Sequence, residues 1–333
     1  MILVTGGTGL VGAHLLYKLT LEHKKVRAIY RSKSKIENTK NVFSCYTKNY
    51  KNLFNTIEWI KADLVDVPAL SKAFSNITKV YHCAALVSFE PHKFEMLRKV
   101  NIEGTANIVN LCISKSIKKL CYVSSIATLG NTINNKPITE NTTWNPEDDN
   151  SVYAIAKYGA EMEVWRGTQE GLDAVIINPG VILGAGIWNY SSGNLFTKAS
   201  NGFKYYTSGT IGLISIDDVI AIMISLMNST IKNERFILVA ENWTYKNFLI
   251  ALTEAVNGKS PKKIANHTLL NIAWRLDWLK HKITRRKRVL TKQIVASLTT
   301  QTYYDSDKIK TALNYKFKAV NETIVSVGNQ YLK

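Results

Sequence analysis

The sequence is short of several features that would fix its class at once. Its four cysteines, Cys45, Cys83, Cys112 and Cys121, form no CxxC pair and no metal-ligand spacing. Three of them lie in apolar segments, as small buried hydrophobes do in a reducing compartment, so a cytoplasmic location is expected and no metal site. Long apolar runs are missing too. The most apolar stretch, Val219 to Met227, is far too short to span a bilayer. Met1 is followed at once by the strand-like Ile2-Leu3-Val4, which leaves no room for a signal peptide. Acidic residues are scarce, 25 against 43 Lys and Arg, for a formal net charge of +18. Such an excess invites a nucleic-acid partner, but most of the lysines are spread along the chain rather than focused in a recognisable module with interleaved aromatics. No nucleic-acid partner is expected. There is no internal repeat and no low-complexity linker.

What is present is a chain of 333 residues with 46% hydrophobic residues, enough to bury a substantial core. Short β-branched runs alternate with helix-like stretches. Strands are expected at Ile2–Thr5, Lys25–Tyr30, Ile57–Ala62, Lys79–Cys83, Lys118–Ser124 and Asp173–Asn178. Helices are expected at Leu10–Glu22, His92–Ser114 and Val152–Gly171. The strands are continuous apolar runs rather than strict alternations, as in a parallel sheet buried on both faces. The class is therefore α/β, a doubly wound parallel sheet. From Gly184 to Gly212 the composition suits a loop-rich pocket rather than a sheet. Ile214–Met227 and Glu234–Val239 then read as a helix and a strand returning to the main sheet, and the remainder is mainly helical. The expected division is 1–183, with 214–240 returning to it, against a smaller substrate-binding lobe of 184–213 and 241–333.

Three patterns carry chemistry. Thr5-Gly-Gly-Thr-Gly-Leu-Val-Gly12 follows a strand and opens a helix, the setting of a phosphate-cradling turn. In such a turn Gly6 and Gly7 permit the bend, Gly9 lets the backbone approach a pyrophosphate, and Gly12 permits close packing. Tyr153 and Lys157 stand four apart in a helical stretch, so both point from one helix face. An ammonium close to a phenol favours the phenolate and fits the tyrosine for proton exchange near neutral pH. Ser124 and Ser125 end an expected strand, where α/β sheets place functional residues.

Taken in order, these motifs resemble the extended short-chain dehydrogenase/reductases, the NAD-dependent epimerase/dehydratase type. The resemblance also takes in Asp63-Leu64, His82-Cys-Ala-Ala85, Asn101-Ile-Glu-Gly-Thr105, Asn178-Pro-Gly-Val181 and Ser215-Ile-Asp-Asp-Val219, and so covers nearly the whole chain. It implies a Rossmann sheet and a nicotinamide dinucleotide cofactor. Thr5, Gly6, Gly7, Thr8, Gly9, Leu10, Val11 and Gly12 would hold its phosphates, and Asp63 and Leu64 its adenine. Ala84 and Ala85 would run past its ribose and phosphates, and Pro179, Gly180 and Val181 would wall the nicotinamide. The implied catalytic set is Ser125, Tyr153 and Lys157, with Asn101 supporting the active site from its helix. Lys157 would lower the Tyr153 pKa and hold the nicotinamide ribose.

Within the family, Val26-Arg-Ala-Ile-Tyr-Arg31 and Leu86-Val-Ser-Phe89 look most like the dihydroflavonol-4-reductase branch. That likeness implies reduction of a ketone or aldehyde, on a small-molecule carbonyl or alcohol substrate, by a monomer or homodimer. A nucleotide-sugar epimerase or dehydratase with tightly held NAD is the alternative, with Arg275, Arg285, Arg286 and Arg288 available to a nucleoside diphosphate. A non-catalytic dinucleotide sensor is a further alternative, opposed by the retained Tyr153 and Lys157. Ser88, Phe89, Trp188, Tyr190, Tyr205 and Tyr206 suit an aromatic-lined, apolar substrate pocket, and suit core packing equally well. The end of the second strand lacks the acidic residue that would accept from a ribose 2′-OH. Arg31, Ser32 and Lys35 stand there instead and match a 2′-phosphate, so NADP(H) is expected over NAD(H). Finally, Trp274 and Trp278 precede Lys280 to Arg288, "KHKITRRKR". This fits a helix that covers the pocket and ends in solvated charge, the simpler reading, or a peripheral membrane contact through 274–288.

Overall fold

The computed structural model describes residues 1–132, 136–190, 192–284, 288 and 290–333. Its strands are β1 (Ile2–Thr5), β2 (Val26–Tyr30), β3 (Glu58–Lys61), β4 (Lys79–His82), β5 (Lys119–Val123), β6 (Ala174–Pro179), β7 (Val181–Leu183), β8 (Tyr205–Tyr206), β9 (Thr210–Ser215), β10 (Glu234–Leu238), β11 (Glu241–Thr244) and β12 (Lys263–Ile264). Seven form one sheet in the order β10-β6-β5-β4-β1-β2-β3, and every pairing in it is parallel. The order reverses between β1 and β4, so a crevice opens there at the carboxyl ends of the strands, where doubly wound sheets bind ligands.

Both faces of the sheet are covered, as its continuous apolar strands require. Leu10–Leu21 and Ile216–Asn228 pack on one face, with Val4, Tyr81, Val175 and Phe236. On the other, Val67–Ala73, Gly104–Ser114 and Val152–Gln169 meet Leu3, Val80, Leu120 and Ile176. Alternate residues of one strand thus enter different cores, the period-two rule of a pleated strand.

Three expectations change. The helix expected over His92–Ser114 is broken into a short turn at Pro91–Lys93, one helical turn at Phe94–Leu97, a wide π-helical turn at Arg98–Glu103 and a regular helix at Gly104–Ser114. The region from Gly184 to Gly212 is not purely loop: Gly193–Ser200 is a helix, and β9 pairs with β7 and β11 in a second, three-stranded sheet. Ile214 and Ser215 close β9 rather than open a helix, and Ser215 caps the helix that starts at Ile216, accepting from the Asp217 N–H at 3.2 Å. All six residues of β9 are buried, and a short apolar run of that kind reads alike as strand or buried helix until its neighbours are known. Beyond β11 the chain is mainly helical.

Candidate active site

The glycine turn leads from β1 into the helix Leu10–Leu21. Gly6 has φ +68°, and a Cβ there would lie 2.6 Å from the Ala84 nitrogen. A Cβ on Gly12 would lie 2.2 Å from the Gly6 carbonyl oxygen, so the turn closes on its own helix at that point. Gly9 is different: its nearest neighbour would be 3.4 Å away, and no side chain caps the helix it begins. The first-turn N–H groups and the helix dipole are thus offered to an anion over an open glycine. Those residues fit a dinucleotide pyrophosphate.

The turn is also braced from a helix that the motifs do not reveal, Ile36–Tyr46. Thr39 Oγ1 donates to Gly7 O at 2.9 Å and Asn38 Nδ2 to Thr8 O at 3.3 Å. Arg31, Ser32 and Lys35 are exposed directly after β2, and Lys35 Nζ lies 4.6 Å from the Tyr190 ring centre. Arg27, in the same basic stretch, is spent on the fold: it is buried and forks onto Glu58 at 2.9 and 3.0 Å. Asp63 and Leu64 follow β3, and the Leu64 carbonyl accepts from Asn107 Nδ2 at 2.9 Å.

Across the crevice, Ser125, Tyr153 and Lys157 converge. Ser151 caps the helix Val152–Gln169, accepting from the Ala154 N–H at 3.1 Å, and so fixes where Tyr153 and Lys157 point. The side chains of Tyr153 and Ser125 are neighbours. Burial pushes the phenol up, the Ser125 side chain opposing the shift. Lys157 is itself held from behind. It is 1% exposed, and its Nζ donates to the Tyr122 hydroxyl at 2.7 Å and to Val123 O at 2.9 Å. Burial pushes its ammonium down to about 7, against the opposing pull of the Glu161 carboxylate. An ammonium has three N–H donors, so one remains for a ribose hydroxyl or the phenol.

Sequence reasoning missed what stands behind Lys157. Tyr122 neighbours Thr105, Thr105 Oγ1 lies 3.0 Å from His82 Nε2, and His82 Nδ1 lies 2.6 Å from Thr5 Oγ1. Thr5 Oγ1 in turn accepts from the Ala84 N–H at 3.2 Å. A buried polar chain thus joins Lys157 to the base of the glycine turn. His82 is fully buried, and that burial with the nearby Lys157 charge pushes its imidazole down to about 3, keeping it neutral. The only sequence signal was a histidine and a tyrosine at the ends of adjacent strands.

A second network lies under the serines. Glu161 is fully buried, and its Oε2 accepts from Ser124 Oγ at 2.5 Å, Thr128 Oγ1 at 2.7 Å and Asn178 Nδ2 at 2.9 Å. Its Oε1 accepts from Arg235 Nη1 at 3.1 Å. Ser124 is therefore committed to Glu161, while Ser125 faces Tyr153. Asn101 binds the loop after β4 with both amide atoms, accepting from Leu86 N–H at 2.7 Å and donating to Leu86 O at 2.9 Å. It positions that loop from the π-helical turn, a device common at functional sites. Ala84 and Ala85 lie in this loop, half-buried and exposed. Pro179 ends β6, and Gly180 packs so tightly that a Cβ would lie 2.5 Å from Gly212 O, ahead of Val181 in β7.

The expected substrate residues make different contacts. Phe89 meets Tyr153 at 5.3 Å between ring centres, and Ser88 is buried beside it. Trp188 packs against Phe196 and Tyr331. Tyr190 accepts from Asn38, next to the glycine turn. Tyr205 and Tyr206 form β8 against β12, with Lys204 and Lys246 over their rings. Arg275 donates to Asn271 O, and Arg288 to Leu290 O; Arg285 and Arg286 lie outside the described residues.

Residues 2–236 match the model of the NAD dependent epimerase/dehydratase family. The chain belongs to that family. Within it, the chain is 26% identical over 332 residues to a putative dihydroflavonol 4-reductase of Synechocystis, covering 96% of this chain and 91% of the relative. It is 28% identical to a UDP-glucose 4-epimerase of Vibrio cholerae, over 72% of this chain and 70% of that one. The crystal structure of gox2253 superposes with a TM-score of 0.81 at 22% identity, over 99% of this chain and 97% of that one. This epimerase/dehydratase-family member is an enzyme of the oxidoreductase type that works with a nicotinamide dinucleotide, in a family whose relatives include reductases and an epimerase. No helix among its described residues is long and apolar enough to cross a membrane.

Proposed function

We propose that this enzyme reduces the ketone or aldehyde carbonyl of a small, apolar or aromatic substrate, with NADP(H) preferred over NAD(H). The observation that carries the reading is the neighbouring Ser125–Tyr153 pair, with Phe89 against the phenol and Lys157 one helical turn away. The dinucleotide supplies hydride from its nicotinamide ring. The chain's own residues do the rest. Ser125 Oγ donates to the substrate oxygen and polarises the carbonyl. Tyr153 delivers its proton to that oxygen as negative charge develops there. Lys157, in its ammonium form, stabilises the phenolate left behind and holds the ribose with its remaining donor. Phe89 presents an apolar edge to the substrate beside the phenol. The likeness to a dihydroflavonol 4-reductase along nearly the whole chain supports a reductase.

Arg31, Ser32 and Lys35 support the cofactor preference: two cations and a hydroxyl stand exposed after β2, where NAD enzymes keep a carboxylate. The nucleotide-sugar alternative draws less support, since Arg275 and Arg288 are turned to backbone carbonyls. Tyr153→Phe tests the mechanism. It is expected to abolish NADPH-dependent turnover of carbonyl substrates while leaving NADPH affinity unchanged. Retained turnover overturns the assignment of the proton donor.

A further inference from the structure

The helix His267–Thr284 carries an apolar seam that the described chain leaves uncovered. Leu269, Ile272, Leu276, Leu279 and Ile283 recur at alternating steps of three and four, which places them on one helix face. All five are exposed, from 39% at Leu269 to 74% at Ile283. The helix is held to the fold by its opposite side, where Leu270 and Trp274 pack with Ala265, Leu290 and Val295. Asp277 turns the same way and accepts from the Leu290 N–H at 3.1 Å. Single exposed leucines need no explanation, but five in register make a patch that marks a contact.

The charges beside the seam decide what it contacts. At about 100° per residue, Lys280 borders one edge of the face, and Arg275 and Lys282 lie beyond the other. Arg275 and Lys282 run over the rings of Trp274 and Trp278, at 4.7 and 4.6 Å, with their stems along the aromatic surface. The helix's one carboxylate, Asp277, is turned inward. A second copy seated on this seam would set cation against cation, the arrangement that opposes pairing of helices. An anionic bilayer satisfies both parts at once, its acyl boundary taking the seam and its headgroups the flanking cations.

We propose that this helix docks the enzyme on an anionic membrane surface, lying flat with Leu269, Ile272, Leu276, Leu279 and Ile283 toward the lipid. On the side of the helix turned to the fold, the His281 ring lies 5.9 Å from that of His92, three residues past Phe89. Docking through the opposite, exposed seam is independent of the reaction proposed above.

The test is co-sedimentation of the full chain with phosphatidylcholine vesicles, with and without an equal share of phosphatidylserine. The wild-type protein is expected to bind the mixed vesicles at least about tenfold more tightly than the neutral ones. The double variant Leu276→Asp/Leu279→Asp and the double variant Lys280→Glu/Lys282→Glu are each expected to lose about tenfold or more. Both leave NADPH binding and the melting temperature unchanged, because the four side chains are exposed. No binding to the mixed vesicles, or undiminished binding by the leucine variant, overturns the proposal. So does a lipid-independent dimer that the leucine variant splits into monomers, which assigns the seam to a second copy.

Discussion

Glu161 is the residue whose replacement most sharply tests the construction beneath the serines. Its carboxylate is an acceptor only, and Ser124, Thr128, Asn178 and Arg235 all donate to it. Glu161→Gln keeps the shape but offers one oxygen and one NH2 group. Whichever way the amide lies, a fixed donor, Arg235 or Asn178, then faces another donor. The Arg235 side chain, 18% exposed, also loses a carboxylate partner inside the fold. Breaking a buried ion pair from one side costs about 3–5 kcal/mol. Arg235 keeps bonds to the Glu140 carbonyl from Nε and Nη2, so we expect about 2–4 kcal/mol. Urea unfolding followed by fluorescence reads this as a lower midpoint at unchanged slope. Activity falls as well, since Asn178 Nδ2 also donates to the Ser125 carbonyl at 3.2 Å and thereby sets the serine's position. The double variant Glu161→Gln/Arg235→Met, which takes the guanidinium away from the amide and keeps an oxygen for Ser124, Thr128 and Asn178, is expected to recover part of the stability. A Glu161→Gln protein within about 0.5 kcal/mol of wild type, the range of an ordinary surface change, refutes the reasoning.

Two further outcomes follow from the site. Arg31→Ala is expected to raise the KM for NADPH roughly tenfold or more, the value of one charged hydrogen bond, with NADH kinetics nearly unchanged; a wild-type preference for NADH, or no loss of preference in the variant, contradicts the NADP(H) assignment. Burial pushes His82 down to about 3 and His14 down to about 4, from an ordinary 6.5. Below pH 6.5 the unfolded chain therefore binds protons that the native chain refuses, and stability falls as pH drops toward those values, by up to roughly 5 kcal/mol for His82 and roughly 3 kcal/mol for His14. Urea midpoints that stay flat or rise between about pH 7 and about pH 4.5 contradict the buried, neutral state of both imidazoles.

Much of the architecture was legible because it is local. Apolar β-branched runs set regularly between helical periods point to parallel strands, and the glycine turn is readable since Gly6 and Gly12 meet backbone where a Cβ would clash. The four-residue spacing of Tyr153 and Lys157 puts them on one helix face in any fold. The residues that failed to group as expected depend on distant partners. Trp188 and Tyr190 are two apart, yet one packs on Tyr331 and the other stands by Asn38 and Lys35. Short β9 reads as strand only once β7 and β11 flank it.

The sequence by itself determined the sheet, the phosphate turn and the pairing of a phenol with an ammonium, because each rests on spacing along a single element. Only the tertiary structure decided that Lys157 leans on Tyr122 and, through Thr105 and His82, on Thr5, since these residues come from separate strands and helices. It alone decided, too, which side of the helix His267–Thr284 meets the fold and which is left to the outside. An amphipathic period says that a face is apolar; what covers that face is set by every other element of the chain.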